Sequence, residues 1–461
     1  MTTSEQELSF RLRGGLFEPG DPEYVEACTL FNSMVERRPR LVARCAAPDD
    51  VIASLAFARH HGLEIAVRAG GHSVTGRSLC DDGLVLDLRC MRDVDVDPEH
   101  RVARVGGGAT WADVDRATQA HGLATTGGRV STTGVGGLTL GGGSGWLERG
   151  HGLTCDNLVA AELVTAEGEL VRASMDENHE LLWGLRGGGG NFGVVTALEL
   201  RLHAVGPEVM AGLVLHPAER GRDLLRLFRD LMREAPEGLG LAFAFITAPA
   251  EPDVPHELHG KQAVMVAGMY AGPVDEGEEA LAEIRAFGPP AADFFEPTAY
   301  ADFQCSIDDP PGYRNYWTAE NVADLPDDAI DALAARSAQL PPGPSQVFIV
   351  PWGGAVSRVQ PDSSPLAGRE AALVVHPLLL WEEVADDQRM FELGRTYRED
   401  LRPYATGATY LNFLGDEGGD RVRAGYGTGS YERLLKLKAR WDPRNTFHGN
   451  QNLRPALQSA A

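Results

Sequence analysis

Residues 187–203 read GGGGNFGVVTALELRLH. Gly188, Gly190 and Gly193 satisfy GxGxxG, a spacing that in a dinucleotide-binding βαβ unit opens a helix whose N-terminus takes the pyrophosphate. Gly193 is instead succeeded by VVTALELRL, an alternating run with β-branched residues, which reads as a strand. A strand in that place removes the helix terminus, so the Rossmann reading fails. The chain has no GxxxxGK[ST] either. Two other glycine stretches suit a phosphate-bearing ligand better: RAGGHS (68–73) after a strand and TTGVGGLTLGGGSG (132–145) after a helix. Consecutive backbone N–H groups form anion nests without a helix, and two such loops suit a long ligand with a pyrophosphate.

Outward from that stretch, the first 205 residues alternate α and β. PDDVIASLAFARHHG (48–62) has an acidic first turn and a C-terminal glycine, and TWADVDRATQAHG (110–122) is a second capped helix. EIAVRA, GLVLDL (83–88) and RVARVG (101–106) read as strands, NLVAAELVTAEGELVRA (157–173) as a hairpin, and ENHELLWGLR as a short helix. From about 206 to 405 the texture changes. Helices are expected at 219–234, 275–287, 326–338 and 383–402, with strands at 210–215, 240–247, 262–270, 346–350 and 371–376. The expected division is 1–205, 206–405 and a Gly/Asn/Tyr-rich tail, 406–461.

The 461-residue chain has a formal charge of −24, which excludes the basic patch that nucleic acid or an anionic membrane requires. MTTSEQELSFRLRGG has no basic segment followed by an apolar one, and no run approaches a membrane span, so a cytoplasmic protein is expected. Its six cysteines, at 28, 45, 80, 90, 155 and 305, include no CxxC and none has a second Cys or a His at ligand spacing. Neither a disulfide framework nor a metal site is expected. The His256/His259 pair lies in a polar stretch and reads as a solvated loop.

AVRAGGHSVTG (66–76), the long run from RVARVGGGATW (101–111) to ELV (169–171), and LLWGLRGGGGNFGVVTALELRLH (181–203) resemble one family's FAD-binding module. That module is the vanillyl-alcohol-oxidase / para-cresol-methylhydroxylase (PCMH) type, and the similarity is greatest to its berberine-bridge-enzyme-like branch. YLNFLGDEG and YERLLKLKARWDPRNTFHGNQNL resemble the branch's C-terminal module. The resemblance covers most of 25–205 and 404–455, while the middle third matches only loosely. It implies an α+β fold: a PCMH-type FAD-binding domain of two small α/β subdomains, and a substrate domain built on an antiparallel sheet with helices. The C-terminal segment would return to the FAD domain.

The resemblance also implies roles. His72 would bond the flavin's C8 methyl carbon and Cys155 its C6, making the FAD bicovalent. Other cofactor contacts would fall on Gly70, Gly71, Ser73, Thr133, Gly134, Gly137, Leu138, Gly142, Gly145, Asn157, Val195, Asn450 and Asn452. Val135 would line the oxygen side of the ring, its small size favouring access of O2. The YxN motif puts Tyr410 forward as catalytic base beside Asn412. A phenol that ordinarily titrates at about 10 needs a neighbour to lower it, and the sequence does not show one. His151 stands where many relatives have an aromatic residue, and it reads as a surface variant or as a group titrating near neutrality. The implied activity is an oxidase acting on a hydroxyl, amine or activated C–H of a sugar, alkaloid-like or polycyclic natural product. Hydride would go to flavin N5, and O2 would be reduced to H2O2. A dehydrogenase with another electron acceptor and a flavoprotein catalysing cyclisation without net redox turnover remain open. Oligomeric state is unreadable.

Overall fold

In the computed structural model, which describes residues 1–449 and 451–455, the glycine-flanked stretch becomes strand Val194–Arg201. It is the centre of a five-stranded antiparallel sheet in the order Val94–Asp97, Val102–Gly106, Val194–Arg201, Leu158–Val164, Leu170–Ser174. A smaller sheet carries Leu41–Arg44, Leu84–Asp87 and Ile65–Arg68 in parallel, with Leu16–Phe17 antiparallel at one edge. The helix joining two of its strands, Pro48–His61, shows why sequence reading succeeds there. Pro48 starts it, Asp49 and Asp50 face the positive end of its dipole, and Arg59, His60 and His61 the negative end. Gly62 ends it at φ +64°.

Residues 208–381 build a third sheet of nine strands. Its central order is Glu208–Pro217, Gln262–Tyr270, Leu239–Thr247, Gln346–Pro351, Leu373–Trp381, Arg314–Trp317. Directly paired residues share a face, so the register divides the sheet in two. Val214, Val266, Phe243, Ile349 and Val375 form one continuous row. They pack under helices Gly221–Glu234, Val274–Ala286, Asp327–Ser337 and Asp387–Leu401 through Phe228, Leu281, Leu333 and Tyr397. Leu215, Met265, Ala244, Phe348 and His376 form the opposite row, which faces the other two sheets. Strand Leu373–Trp381 runs past the expected end at 376, straight through Pro377. The missing N–H falls where the neighbouring strand is interrupted: Trp317 pairs with Leu378 and Glu320 with Val375, leaving no ladder bond for Pro377 to donate.

The short helix Val135–Leu140 corrects one expectation, because the 132–145 stretch reads in sequence as open loop. Glycine's low helix propensity hides such a helix in a sequence. In the C-terminal segment, helices Gly419–Tyr426 and Thr428–Trp441 come after the YxN motif. The second is tied to the 187–203 stretch by Lys438, whose Nζ donates to Asn191 O at 2.8 Å. No helix among the described residues is long and apolar enough to cross a membrane.

Helix Trp111–Gln119 meets the middle segment through a buried acid. Asp115 is 3% exposed and accepts one hydrogen bond, from Gln304 Nε2 at 3.1 Å. Burial pushes its pKa up to about 7, against a carboxylate's ordinary 3.8. The folded chain therefore holds this proton more tightly than the unfolded chain. Its contribution is full below pH 3.8 and is lost as pH rises towards 7. Asp115→Asn is expected to stabilise the protein at pH 8 by about 2–4 kcal/mol and to flatten the stability profile across that window. Denaturant titrations at pH 5 and pH 8 check it; an unchanged profile would show that Asp115 is not the group responsible.

Candidate active site

Between the inner face of the nine-stranded sheet and the glycine-rich loops lies a cavity of about 930 Å³. Gly70, Gly71, His72, Gly134, Gly136 and Gly137 line one side, and Gly189, Gly190, Gly193 and Val195 bring in the 187–203 stretch. Leu215, Met265, Phe348, His376, Leu378 and Trp317 cover it from above. Asn412, Phe413 and Gln451 close it from the C-terminal module.

The two glycine loops touch backbone to backbone. A Cβ on Gly70 would stand 2.2 Å from the Gly134 nitrogen, so neither loop tolerates a side chain there. Gly137 is the reverse case, since a Cβ would meet nothing within 4 Å and its backbone faces the open cavity. This arrangement suits FAD: a cleft of ligand size, glycine backbone on the side where a pyrophosphate needs N–H donors, and an apolar wall for a flat ring. Gly70→Ala is expected to lose most bound flavin and about 1–3 kcal/mol of stability as the loops are forced apart. The ratio of visible to protein absorbance reads the first effect, and a fully yellow variant would contradict it.

His72 sits in the cavity wall, half-buried. Its ring stacks on Phe31 with centroids 4.5 Å apart and 19° between planes. Nε2 is 2.9 Å from Thr132 Oγ1, and Nδ1 is 3.4 Å from Thr133 Oγ1. Burial, with the Arg68 cation adding to it, lowers its pKa to about 4. The imidazole is therefore neutral at pH 7 and keeps a nucleophilic lone pair.

The structure brings together many of the residues implied by resemblance. Gly70, Gly71, Ser73, Thr133, Gly134, Gly137, Leu138 and Val195 all line the cavity with His72. Others do not reach it. Gly142 packs against Tyr410 and Gly145 against the Gly127 backbone. Asn157 spends its amide on His151 O and Leu153 O, while its Oδ1 meets His203 Nε2 at 2.8 Å. Asn452 lies outside the cavity lining beside Gln451, which does line it. Asn450 falls outside the described residues. Val135 opens its short helix fully buried, without a face on the cavity.

Cys155 and Tyr410 both lie behind the cavity wall. Cys155 is fully buried and absent from the cavity wall. Its Sγ lies 3.7 Å from both Arg369 Nη2 and Asp156 Oδ1, and those two side chains form a buried ion pair at 2.7 Å. Burial pushes the thiol well above its ordinary range, so the nucleophilic thiolate is disfavoured. Tyr410 is 2% exposed, and its hydroxyl oxygen accepts from Gly143 N–H at 2.6 Å and from Asn412 Nδ2 at 3.1 Å. Burial raises its pKa above the ordinary tyrosine value, the opposite of what a base needs. Its ring packs against Phe413 and Trp352, so it acts as a strut beneath the cavity. His151 is no free surface group either: it is half-buried and stacks on His203 at 3.8 Å.

The middle segment contributes polar groups that sequence reading missed. Asp309 lines the cavity and accepts from Gln346 Nε2 at 2.8 Å; burial raises its pKa to about 7. Asp308 takes two hydrogen bonds from Ser131, from N–H at 2.6 Å and from Oγ at 2.5 Å, which clamps the middle segment onto the residue just before the 132–145 stretch. Glu251, Asp253, Glu296 and Asp302 also border the cavity, against Arg77 and Arg129. Arg129 is already paired with Glu148 at 2.9 Å. The balance of charge around the cavity is negative. A histidine in the apolar run LVVHPLLLW is the one available signal in the strands.

Comparison with known proteins agrees with this geometry. Residues 39–174 match the family model for the FAD binding domain, and residues 409–454 the model for berberine and berberine like proteins. An FAD-linked oxidoreductase of Dictyostelium discoideum is 30% identical over 454 residues, covering 96% of this chain and 95% of that one. The (R)-6-hydroxynicotine oxidase of Paenarthrobacter nicotinovorans is 30% identical over 462 residues, covering 96% and 97%. The crystal structure of 6-hydroxy-D-nicotine oxidase from Arthrobacter nicotinovorans superposes with a TM-score of 0.87 at 28% identity, over 96% of this chain and 98% of that one. With an α+β fold of the PCMH type and both modules in place, the chain is a member of the berberine-bridge-enzyme-like family of FAD-linked oxidoreductases.

Proposed function

We propose that this oxidoreductase is an oxidase that holds FAD in the cavity by a single covalent bond to His72. The observation that carries the reading is a neutral imidazole in the cavity wall, fixed by Phe31, Thr132 and Thr133 beside two glycine loops. In favour of one bond rather than two is the sealed position of Cys155, whose sulfur faces Arg369 and Asp156. Residues 1–205 and 406–461 would form the cofactor side, and 206–405 the substrate side.

Bound FAD supplies a hydride acceptor, chemistry that no side chain offers. The chain's own residues do the rest. The glycine loops let backbone N–H groups reach a pyrophosphate, and Asn412 presents its Oδ1 end near Gly141 while Nδ2 donates to Leu138 O at 2.9 Å. Trp317, Phe348, Leu378 and Met265 exclude water from the reacting centre. The acidic border disfavours an anionic substrate and suits an amine or a neutral alcohol, in keeping with the hydroxynicotine substrate in one relative's name. Oxygen would be the final acceptor, yielding H2O2. Photoreduced protein mixed with air-saturated buffer tests this: the oxidised flavin spectrum is expected to return within seconds with equimolar peroxide. Recovery over many minutes would favour a dehydrogenase.

A further inference from the structure

Strand Gln346–Pro351 turns Gln346, Phe348 and Val350 towards the cavity, and Gln346 is the polar member of the three. It pairs with Leu378, which pairs with Trp317, so the three side chains share one row of the inner sheet face. Asp309 reaches that row from the loop after helix Tyr300–Phe303, and its Oδ1 accepts from Gln346 Nε2 at 2.8 Å. The loop is fixed on either side of it. Asp308 is bonded to Ser131, and Pro310 and Pro311 restrict the backbone that follows. Asp309 and Gln346 are each only half-buried, and both line the cavity. Among the described residues nothing donates to Asp309 Oδ2 or to Gln346 Oε1, and both atoms keep accessible surface.

The Asp309 carboxylate has no cation beside it. Buried carboxylates elsewhere have one: Asp87 meets Arg89 at 2.7 Å, Glu148 meets Arg129 at 2.9 Å and Asp442 meets Lys438 at 2.7 Å. Asp115, which also lacks a cation, is sealed inside the protein, whereas Asp309 faces open space. Neither arginine at the cavity fills the gap, since Arg129 is paired with Glu148 and Arg77 lies 3.9 Å from Asp416. Burial, reinforced by Asp308 and opposed by the Gln346 hydrogen bond, raises the pKa of Asp309 to about 7. A carboxylate in an apolar wall gains most from a charged donor, and two open acceptors side by side suit a group with more than one N–H. We propose that Asp309, oriented by Gln346, receives the ammonium of the substrate, so that the cavity takes a primary or secondary amine in preference to a neutral alcohol of the same shape. The proposal rests on the assignment of this cavity to FAD. The ammonium donates to Asp309 Oδ2 and Gln346 Oε1, and the apolar body of the substrate lies along Leu378, Phe348 and Trp317. Removed from bulk water, the ion pair is little weakened by salt.

The test uses cumylamine and cumyl alcohol, which share one shape and differ in charge. Neither has a hydrogen on the carbon bearing nitrogen or oxygen, so the holoenzyme cannot oxidise them and calorimetry reads binding alone. At pH 8, where Asp309 is ionised, the amine is expected to bind about tenfold more tightly than the alcohol. Asp309→Asn should bring that ratio close to one, and Asp309→Glu should restore part of it. The wild type gives a second readout without any variant. At pH 6 Asp309 is mostly protonated, so binding of the amine should expel about one proton and binding of the alcohol none. Heats measured in buffers of different ionisation enthalpy count that proton. Equal affinities at pH 8, no amine binding, an unchanged ratio in Asp309→Asn, or no proton release would each overturn the proposal. Should Asp309→Asn fail to fold, the proton release decides. Flavin content separates the two readings. Protein purified without FAD contradicts the cavity's assignment, whereas yellow protein that binds both ligands equally contradicts only the role of Asp309.

Discussion

His72→Ala is expected to abolish covalent flavin altogether: after acid denaturation all FAD should stay in solution and none with the polypeptide. The effect is all-or-none because, in the proposed attachment, the ring nitrogen would be the attacking atom. Neither Thr132 nor Thr133 beside it offers a comparable nucleophile at neutral pH. The variant should still fold and bind FAD reversibly, since the glycine loops and apolar walls remain. Cys155→Ala, by contrast, should keep its flavin bonded. Fluorescence of the acid-treated band after denaturing electrophoresis reads both variants. A band that still fluoresces in His72→Ala would place the bond elsewhere.

The largest expected loss of stability comes from removing Lys438. Its ammonium is fully buried and donates to Asp442 Oδ2 at 2.7 Å, Asn191 O at 2.8 Å and Phe447 O at 2.7 Å. Asp442 in turn accepts the backbone N–H groups of Thr446 and Phe447, both at 2.8 Å. Lys438→Met leaves a buried carboxylate without its cation and a carbonyl of the 187–203 stretch without its donor. The expected cost is about 3–5 kcal/mol, measured by denaturant unfolding in the His72→Ala background, from which the flavin can be removed. Lys438→Met combined with Asp442→Leu should lose less than the single variant, because no lone charge then stays buried. A single variant within 1 kcal/mol of wild type would show that the C-terminal helix is not anchored this way. Flavin binding should weaken in parallel, since Gly189 and Gly190, the residues just before Asn191, line the cavity.

Sequence reading went furthest where local chemistry is self-sufficient. Helix Pro48–His61 carries its start, dipole and stop signals within its own residues. The strand at Val194–Arg201 shows its period of two despite the GxGxxG before it. The roof of the cavity was harder to read because both faces of its sheet are covered. Leu373–Trp381 is buried at every position, so no alternation reveals which side chains face the site. Arg314–Trp317 is too short to signal a strand alone and forms only by pairing with Leu378–Trp381. The surroundings of Cys155 and Tyr410 are a different matter. Both lie in matching motifs, yet which side of a loop a residue faces depends on distant partners. For Cys155 the partner is Arg369, 214 positions away; for Tyr410 it is Gly143, 267 positions away.

The most direct test is peptide mapping of the wild-type protein by mass spectrometry after trypsin digestion. Cleavage after Arg68 and Arg77 isolates AGGHSVTGR, and cleavage after Arg149 and Arg172 isolates the peptide containing Cys155. The flavin mass is expected on the His72 peptide alone. Flavin on the Cys155 peptide would contradict the single bond, and flavin on no peptide at all would contradict attachment through the histidine in the cavity wall.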